Sequence, residues 1–248
     1  MARLIAFLLL SLSMLAAQAP AWLVADQLAT DRNGWIELRN PAGTLWSGSA
    51  LAYVPAGGSA ASPLALGRLT WRIARVDWSR RTLVFDIRQT PGAPRPAELI
   101  AGFDRRALSG AVRLPAAAAM RLPQLAGWTI GGTVTFDSDS FEWIGSGAGN
   151  VNVLWQNASI TPIDLSEAIA LGDVSGRIVA DAKGQSLSFA NAGGSIQLNG
   201  STDSRTGQVN VQAQARASAT PAQIAWLQSH LRPQPQGGYA FGFTLPRH

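Results

Sequence analysis

The segment Gly43-Thr44-Leu45-Trp46-Ser47-Gly48-Ser49-Ala50 decides how the rest of the sequence is interpreted. It follows the turn-like residues Arg39-Asn40-Pro41-Ala42 and places a tryptophan between closely spaced glycines. Tryptophan favours a half-buried pleated surface, and glycine beside it lets the backbone bend or a neighbouring strand approach closely. The pattern therefore predicts the opening strand of a β-sheet, with Trp46 packed on the sheet, and it favours a packed strand over a ligand-binding loop.

Alternating apolar and polar residues continue along the chain. In the segment 67–73, Leu69, Trp71 and Ile73 fall on one face, and arginine and threonine fall on the other. The segments 82–88 and 208–216 repeat this period of two, which is typical of half-buried antiparallel strands. In the segment 82–88 the apolar set predicted to face inward is Leu83, Phe85 and Ile87. The fold class we expect is mainly β, with a large curved antiparallel sheet.

Two short helices are expected within this sheet protein. Pro115 followed by four alanines favours a helix over residues 115–122, and Thr220-Pro221 forms the start of a second helix over 220–228. In each half of the chain, glycine-led strands precede one of these helices. The order predicts an internal duplication, at about residues 35–128 and 129–245.

The N-terminal residues 1–25 have the form of an export signal. Arg3 precedes an apolar run from Leu4 to Ala17, and Ala17-Gln18-Ala19 fits a small-x-small cleavage pattern. Pro20 directly after that site disfavours cleavage, and apolar residues resume at Trp22. The sequence predicts a retained N-terminal hydrophobic helix over residues 1–25 that acts as a signal-anchor, with residues 26–248 exported; a cleaved signal is the alternative.

Composition limits the class of protein. Of the 248 residues 47% are hydrophobic and 14% are charged, there is no cysteine, and the net charge of +5 is spread thinly. The absence of cysteine excludes disulfides, thiolate catalysis and cysteine-ligated metals. The charge indicates mild attraction to an anionic membrane surface or to acidic partners, whereas nucleic-acid binding calls for a denser basic stripe.

Catalytic and metal-binding constellations are absent from the sequence. The two histidines, His230 and His248, lie near the C-terminus, so no Ser-His-Asp set or histidine metal site is indicated. Asp137, Asp139 and Glu142 do not match a calcium-loop spacing. We therefore expect no enzyme activity, no catalytic residue, no cofactor and no metal; an envelope hydrolase is disfavoured by the missing histidines.

A family resemblance rests on the order of the glycine- and tryptophan-containing strands. An N-terminal hydrophobic segment is followed by the Gly43–Ala50 stretch, then by 66–71, 149–155 and 193–195. This order resembles protein N of the type II secretion system, the general secretion pathway, and the family is similar to AsmA-like envelope proteins. The motif residues that carry the resemblance, with structural or interaction roles expected, are Gly43, Thr44, Leu45, Trp46, Gly48, Gly67, Trp71, Trp155 and Gly194.

The resemblance implies an accessory, non-enzymatic scaffold component of type II secretion that supports export of folded proteins across the outer membrane. It implies a single-pass protein of the cell inner membrane with its C-terminal β-rich domain in the periplasm, in contact with other secretion proteins. The alternative is an AsmA-like lipid-binding or lipid-transfer module, in which the inward apolar side chains line a groove. An open apolar face favours lipid, and a filled one favours a scaffold.

Overall fold

The computed structural model of the chain describes residues 18–23, 26, 36–55, 63–102, 104–121, 127–144, 148–181, 184–203, 208–235 and 237–244. Residues 1–17, which hold most of the predicted hydrophobic helix, lie outside the described residues. Within the described part, no helix is both long and apolar enough to cross a bilayer. The chain divides into two compact units, Met1–Phe103 (unit 1) and Asp104–His248 (unit 2). The predicted duplication stays a prediction.

The described residues of unit 1 form five antiparallel strands whose order follows the chain. The strands are β1 (Glu37–Gly43), β2 (Ser47–Val54), β3 (Leu64–Asp77), β4 (Thr82–Thr90) and β5 (Ala97–Gly102). Neighbouring strands in this order are consecutive in the chain, as is common for antiparallel pairs.

The predicted turn at residues 39–42 is instead a bulge inside β1. Arg39 pairs with Leu51 and Ala42 pairs with Ser49, so Asn40 and Pro41 together oppose a single residue of β2. Asn40 adopts a φ of 52°, a left-handed conformation that asparagine tolerates better than most residues. The prediction of one opening strand from Gly43 onward is therefore wrong: Gly43 ends β1, and Ser47 begins β2.

The buried face of β4 differs from the predicted one, and the neighbouring strand β3 carries a second bulge. Ile73 pairs with Phe85 but Arg75 pairs with Val84, so β3 carries one extra residue at this point. Leu83, Phe85 and Ile87 are all half-buried. The buried residues of β4 are Thr82 and Val84, on the other face. The predicted inward face of this segment is therefore corrected: Thr82 and Val84 are its buried residues, and the bulge shifts the register of β3 against β4.

The described residues of unit 2 form nine strands. The antiparallel pairing predicted from the sequence is confirmed for each neighbouring pair from β6–β7 to β12–β14, and for β13–β14. The strand order follows the chain from β6 to β12 and then continues with β14 and β13. The strands are β6 (Arg106–Pro115), β7 (Thr129–Ile144), β8 (Gly149–Thr161), β9 (Ile169–Asp181), β10 (Gly184–Ala192), β11 (Ile196–Asp203), β12 (Gln208–Ala215), β13 (Arg232–Pro233) and β14 (Tyr239–Thr244).

The two predicted helices have different outcomes. The second is confirmed as α1 (Pro221–His230), which begins at Thr220 with a complete capping box: the Thr220 hydroxyl accepts from the Gln223 amide, and the Gln223 side chain accepts from the Thr220 amide. The first is a 3-10 helix over Ala116–Arg121 rather than an α-helix. Short 3-10 segments commonly serve as connectors, and this one follows the end of β6 directly.

The core of unit 2 lies where α1 covers the sheet. On β12, Val209, Val211 and Ala213 are buried while the glutamines and asparagine between them are exposed, as the period of two predicts. Leu227 of α1 belongs to the same buried cluster as Ile169, Ile196 and Ala213. One face of these strands is therefore apolar and the other is polar.

The turn between β3 and β4 is held by Asp77. Its Oδ1 accepts hydrogen bonds from the hydroxyl and amide of Ser79, at 2.6 and 3.1 Å, and from the amide of Arg80, at 3.1 Å. These bonds, led by the one from the Ser79 hydroxyl, lower the pKa of the Asp77 carboxyl below its usual range. The turn leaves the intervening Trp78 86% exposed.

We predict that acid loosens this turn. Because the pKa of Asp77 is lowered in the folded chain, its stabilising contribution is present above the unfolded-state pKa and is lost as pH falls through the folded-state pKa. Hydrogen-exchange protection of the Ser79 and Arg80 amides should therefore fall at acid pH, as measured by NMR. Asp77→Asn keeps an acceptor that does not titrate and should remove this pH dependence; an unchanged dependence in that variant would refute the assignment to Asp77.

Candidate functional site

The Gly43–Ala50 segment forms a tight hairpin between β1 and β2. The Thr44 amide donates to the Ser47 carbonyl at 2.9 Å, and the Thr44 hydroxyl accepts from the Ser47 amide at 3.1 Å. Gly43 has a φ of 90°, and a Cβ there would lie 2.6 Å from the Ser47 carbonyl oxygen. Only glycine suits this position, because the backbone is left-handed and the space is already filled. Trp46 lies in the connection and is half-buried rather than packed inside a strand.

Trp71 of β3 locks this hairpin. Its indole nitrogen donates to the Leu45 carbonyl at 3.1 Å. Gly48 is the register partner of Trp71, and a Cβ at Gly48 would lie 2.6 Å from the Trp71 ring. The missing side chain of Gly48 is therefore what allows the indole to lie across β2 and reach the hairpin tip.

The hairpin also holds the segment that follows the apolar N-terminal run. The Leu45 amide donates to the Ala19 carbonyl at 2.7 Å, and the Ala21 amide donates to the Gly43 carbonyl at 3.1 Å. Ala21 is almost completely buried, whereas Trp22 beside it is 54% exposed. The motif thus joins the end of the predicted hydrophobic segment to unit 1.

Unit 2 repeats the tryptophan–glycine arrangement at β7 and β8. The Trp155 indole nitrogen donates to the Gly131 carbonyl at 2.8 Å. Gly132 has a φ of 95°, and a Cβ there would lie 2.8 Å from that indole nitrogen. The hydrogen bond satisfies the polar edge of Trp155, so its ring is available to form an apolar wall.

The predicted motif residues therefore do not form one site; they lie at the hairpin of unit 1, at the other end of β3 and in unit 2. Gly43, Thr44, Leu45, Trp46, Gly48 and Trp71 come together at the hairpin of unit 1. Gly67, with a φ of 102°, lies at the other end of β3, where a Cβ would clash with the Thr90 carbonyl. In unit 2, Trp155 lines a cavity, while Gly194, with a φ of 76°, lets its loop approach Ala170 and Leu171 of β9.

An apolar cavity of about 570 Å³ lies on the inner face of unit 2. Its walls come from β8 to β12, β14 and α1, together with Trp128, and almost every wall residue is aliphatic or aromatic. They include Trp128, Trp155, Ile160, Ile169, Leu171, Leu187, Phe189, Ile196, Leu198, Val209, Val211, Trp226, Leu227, Leu231 and Phe241. This size and lining are typical of a site for an apolar small molecule.

Three side chains of α1 and its neighbouring loop fix one wall of this cavity. Asp164 accepts from the Trp226 indole at 2.9 Å and lies 3.0 Å from Nε2 of His230. The Trp226 and His230 rings stack with their centres 4.8 Å apart, and Trp128 meets Trp226 edge-on at 5.9 Å. The arrangement holds the aromatic wall in one conformation, and the His230 ring also lines the cavity.

Sequence reasoning missed this cavity and most of its walls. It selected Trp155 but not Trp128, Trp226 or His230, because those residues come together through the docking of α1. The signal present in the sequence was the apolar face shared by the predicted strands of the second half. Among the described residues no group of three metal-ligating side chains is present.

Comparison with known proteins gives one family. A family model described as type II secretion system (T2SS), protein N, matches residues 35–242 and so spans strands of both units. No curated protein and no solved structure matches the chain. The expected similarity to AsmA-like proteins is not supported by these comparisons.

We predict that Gly48→Ala destabilises unit 1, because the new methyl group would overlap the Trp71 ring and two backbone carbonyl oxygens. Overpacking of this kind costs about 1–3 kcal/mol of the free energy of unfolding. Equilibrium urea unfolding monitored by tryptophan fluorescence measures the change.

The matched control is Gly92→Ala. A Cβ at Gly92 has no neighbour closer than 3.7 Å, so this substitution should be neutral or slightly stabilising. Equal stability of the two variants would show that the contact between Gly48 and Trp71 is not needed for the hairpin.

Proposed function

The chain belongs to the type II secretion system protein N family, and from this premise we propose that it is an accessory, non-enzymatic scaffold of that machine in the bacterial envelope. Membership implies association with other components of type II secretion. We further propose that the N-terminal segment 1–25 anchors the chain in the inner membrane through its apolar run before Gln18, since Ala19 and Ala21 are held by the hairpin, with the β-rich remainder in the periplasm. The observation that carries the proposal is the family match over residues 35–242, which includes both units.

The outer face of β11 and β12 supports a scaffold role. Gln197 pairs with Gln214, and Asn199 pairs with Gln212, so exposed amide side chains form a ladder across two strands. Amide groups donate and accept hydrogen bonds without carrying charge. Such a surface suits contact with a protein that supplies matching hydrogen bonds, and the contact buries no charge. We assign the partner contact to this amide face.

Cysteine cross-linking in the envelope tests the partner contact, because the natural chain has no cysteine and each variant carries a single thiol. Gln212→Cys places the thiol on the amide face. Gln228→Cys places it on the exposed side of α1, which covers the opposite face of the same strands. We predict that Gln212→Cys, in cells that secrete normally, yields a covalent adduct with another type II secretion protein, and that Gln228→Cys yields much less.

Mass spectrometry of the adducts identifies the partner. Adducts of Gln212→Cys that contain no type II secretion protein, or equal yields from the two positions, would contradict the proposed contact surface. A comparison of the two variants under the same cross-linker controls for expression and for general exposure of thiols.

A second candidate function, binding of an acyl chain, is favoured by the apolar cavity of unit 2. A volume of about 570 Å³ falls within the usual range for ligand sites. The cavity has an almost wholly apolar lining, which favours a hydrocarbon chain over a sugar or nucleotide. In this reading, the scaffold carries a lipid or lipid-like molecule against α1.

We predict that the purified chain carries acyl-chain ligands detectable by native mass spectrometry, and that Leu187→Asp abolishes them by placing a carboxylate in the cavity wall. Ser186→Asp adds the same charge at an exposed position of the same strand and should retain them. Leu187→Trp, which fills space without adding charge, distinguishes loss of the ligand from loss of folding. An apolar ligand that remains bound in both Leu187 variants would exclude the cavity as its site.

A further inference from the structure

The connection between β3 and β4 has the chemistry of a membrane-surface contact. Trp78 at its tip is 86% exposed, and the neighbouring Val76 is 36% exposed. Arg75, Arg80 and Arg81 are also exposed, so the tip carries three arginines against the single aspartate that shapes the turn. Trp78 and Val76 therefore place apolar surface among cationic side chains at one exposed tip.

The tip lies at the same end of unit 1 as residues 18–23, which directly follow the apolar N-terminal run. Ser47, the first residue of β2, pairs with Arg72, so the β1–β2 hairpin ends alongside the last part of β3. Pro20 bridges Thr44 of that hairpin. Trp78 lies five residues beyond Ile73, which corresponds to about 16 Å along a strand. The β3–β4 tip therefore projects past the hairpin on the same side as residues 18–23.

Exposed apolar residues also follow the short N-terminal segment that the hairpin holds. Trp22 is 54% exposed and Leu23 is 39% exposed, and they follow directly after the residues held by the hairpin. The 17 residues before Gln18 include the apolar run from Leu4 to Ala17. If that run is inserted in a bilayer, this end of unit 1 stands next to the lipid headgroups.

We propose that the β3–β4 tip is a docking site for an anionic lipid bilayer. Trp78 enters the headgroup layer, where an indole combines an apolar body with a polar edge, and the three arginines contact lipid phosphates. A basic residue close to an anionic leaflet contributes about fivefold to such an equilibrium. Asp77 supports the contact by fixing the turn through Ser79 and Arg80, so the tip is ordered before it docks.

The position of the tip beside a bilayer rests on the proposed anchoring by residues 1–25. The test distinguishes failure of this anchor from failure of the tip to dock. A fluorophore on Val76→Cys reports on the tip, and the same fluorophore on Pro94→Cys reports on the opposite end of the β3–β4 pair. The full chain is reconstituted into vesicles of phosphatidylethanolamine and phosphatidylglycerol that contain lipid-attached quenchers, and into phosphatidylcholine vesicles for comparison. The native chain lacks cysteine, so each protein carries one label.

We expect quenching and a blue shift at position 76 in the anionic vesicles, and neither at position 94. Trp78→Ser, or replacement of Arg75, Arg80 and Arg81 by glutamine, should lower the quenching at 76 towards the value at 94, and high salt should do the same for the wild-type tip. The glutamine variant should still float with the vesicles, because its N-terminal segment is unchanged.

Three results would overturn the proposal. Equal quenching at 76 and 94 in vesicles that carry the protein would refute docking while leaving the anchor intact. Failure of the chain to float with either kind of vesicle would refute the anchor and the docking together. In the third result, other envelope proteins in detergent shield the label at position 76 from a soluble quencher, and the label is not quenched in vesicles. That result would make the tip a protein interface instead.

Discussion

The contact of the Trp71 indole with the hairpin between β1 and β2 is the interaction on which unit 1 depends. One hydrogen bond, to the Leu45 carbonyl, and one missing side chain, at Gly48, fix the ring across β2. The hairpin so held in turn carries the backbone bonds to Ala19 and Ala21. Trp155 makes the corresponding bond to Gly131 in unit 2, again beside a glycine that leaves room for the ring. The residues that carry the family resemblance are thus those that set strand geometry, not those that would act on a substrate.

The two units use their sheets differently. In unit 2, α1 covers part of the apolar face of the sheet, and an apolar cavity remains beside it. The opposite face of β11 and β12 carries paired amide side chains. In unit 1 the distinctive surfaces lie at one end, where the fastened N-terminal segment and the β3–β4 tip expose tryptophan, leucine and arginine. This division fits a protein that meets the membrane with one unit and other envelope molecules with the second, which is how we interpret its membership of the protein N family.

Much of this architecture could be predicted from the sequence, and the failures have local causes. Period-two alternation correctly indicated antiparallel strands, and in β12 it gave the buried face residue by residue. It did not show the bulges at Asn40-Pro41 in β1 and near Ala74 in β3, because each inserts one residue without leaving a clear mark in hydropathy, and it did not identify Thr82 and Val84 as the buried residues of β4. Thr220-Pro221 gave the start of α1, but its long-range docking, and hence the cavity, depends on contacts between residues as far apart as Asp164 and Trp226. Local patterns do not encode such contacts.

The central claim is that this chain works in type II secretion, and the most direct test is the location of exported proteins in a strain that lacks it. Exoproteins in the culture medium and in the periplasm are quantified in the parent, in the deletion strain and in the deletion strain carrying the full chain. If the chain works in type II secretion, folded exoproteins accumulate in the periplasm of the deletion strain and the full chain restores their release. Equal release in all three strains would contradict it.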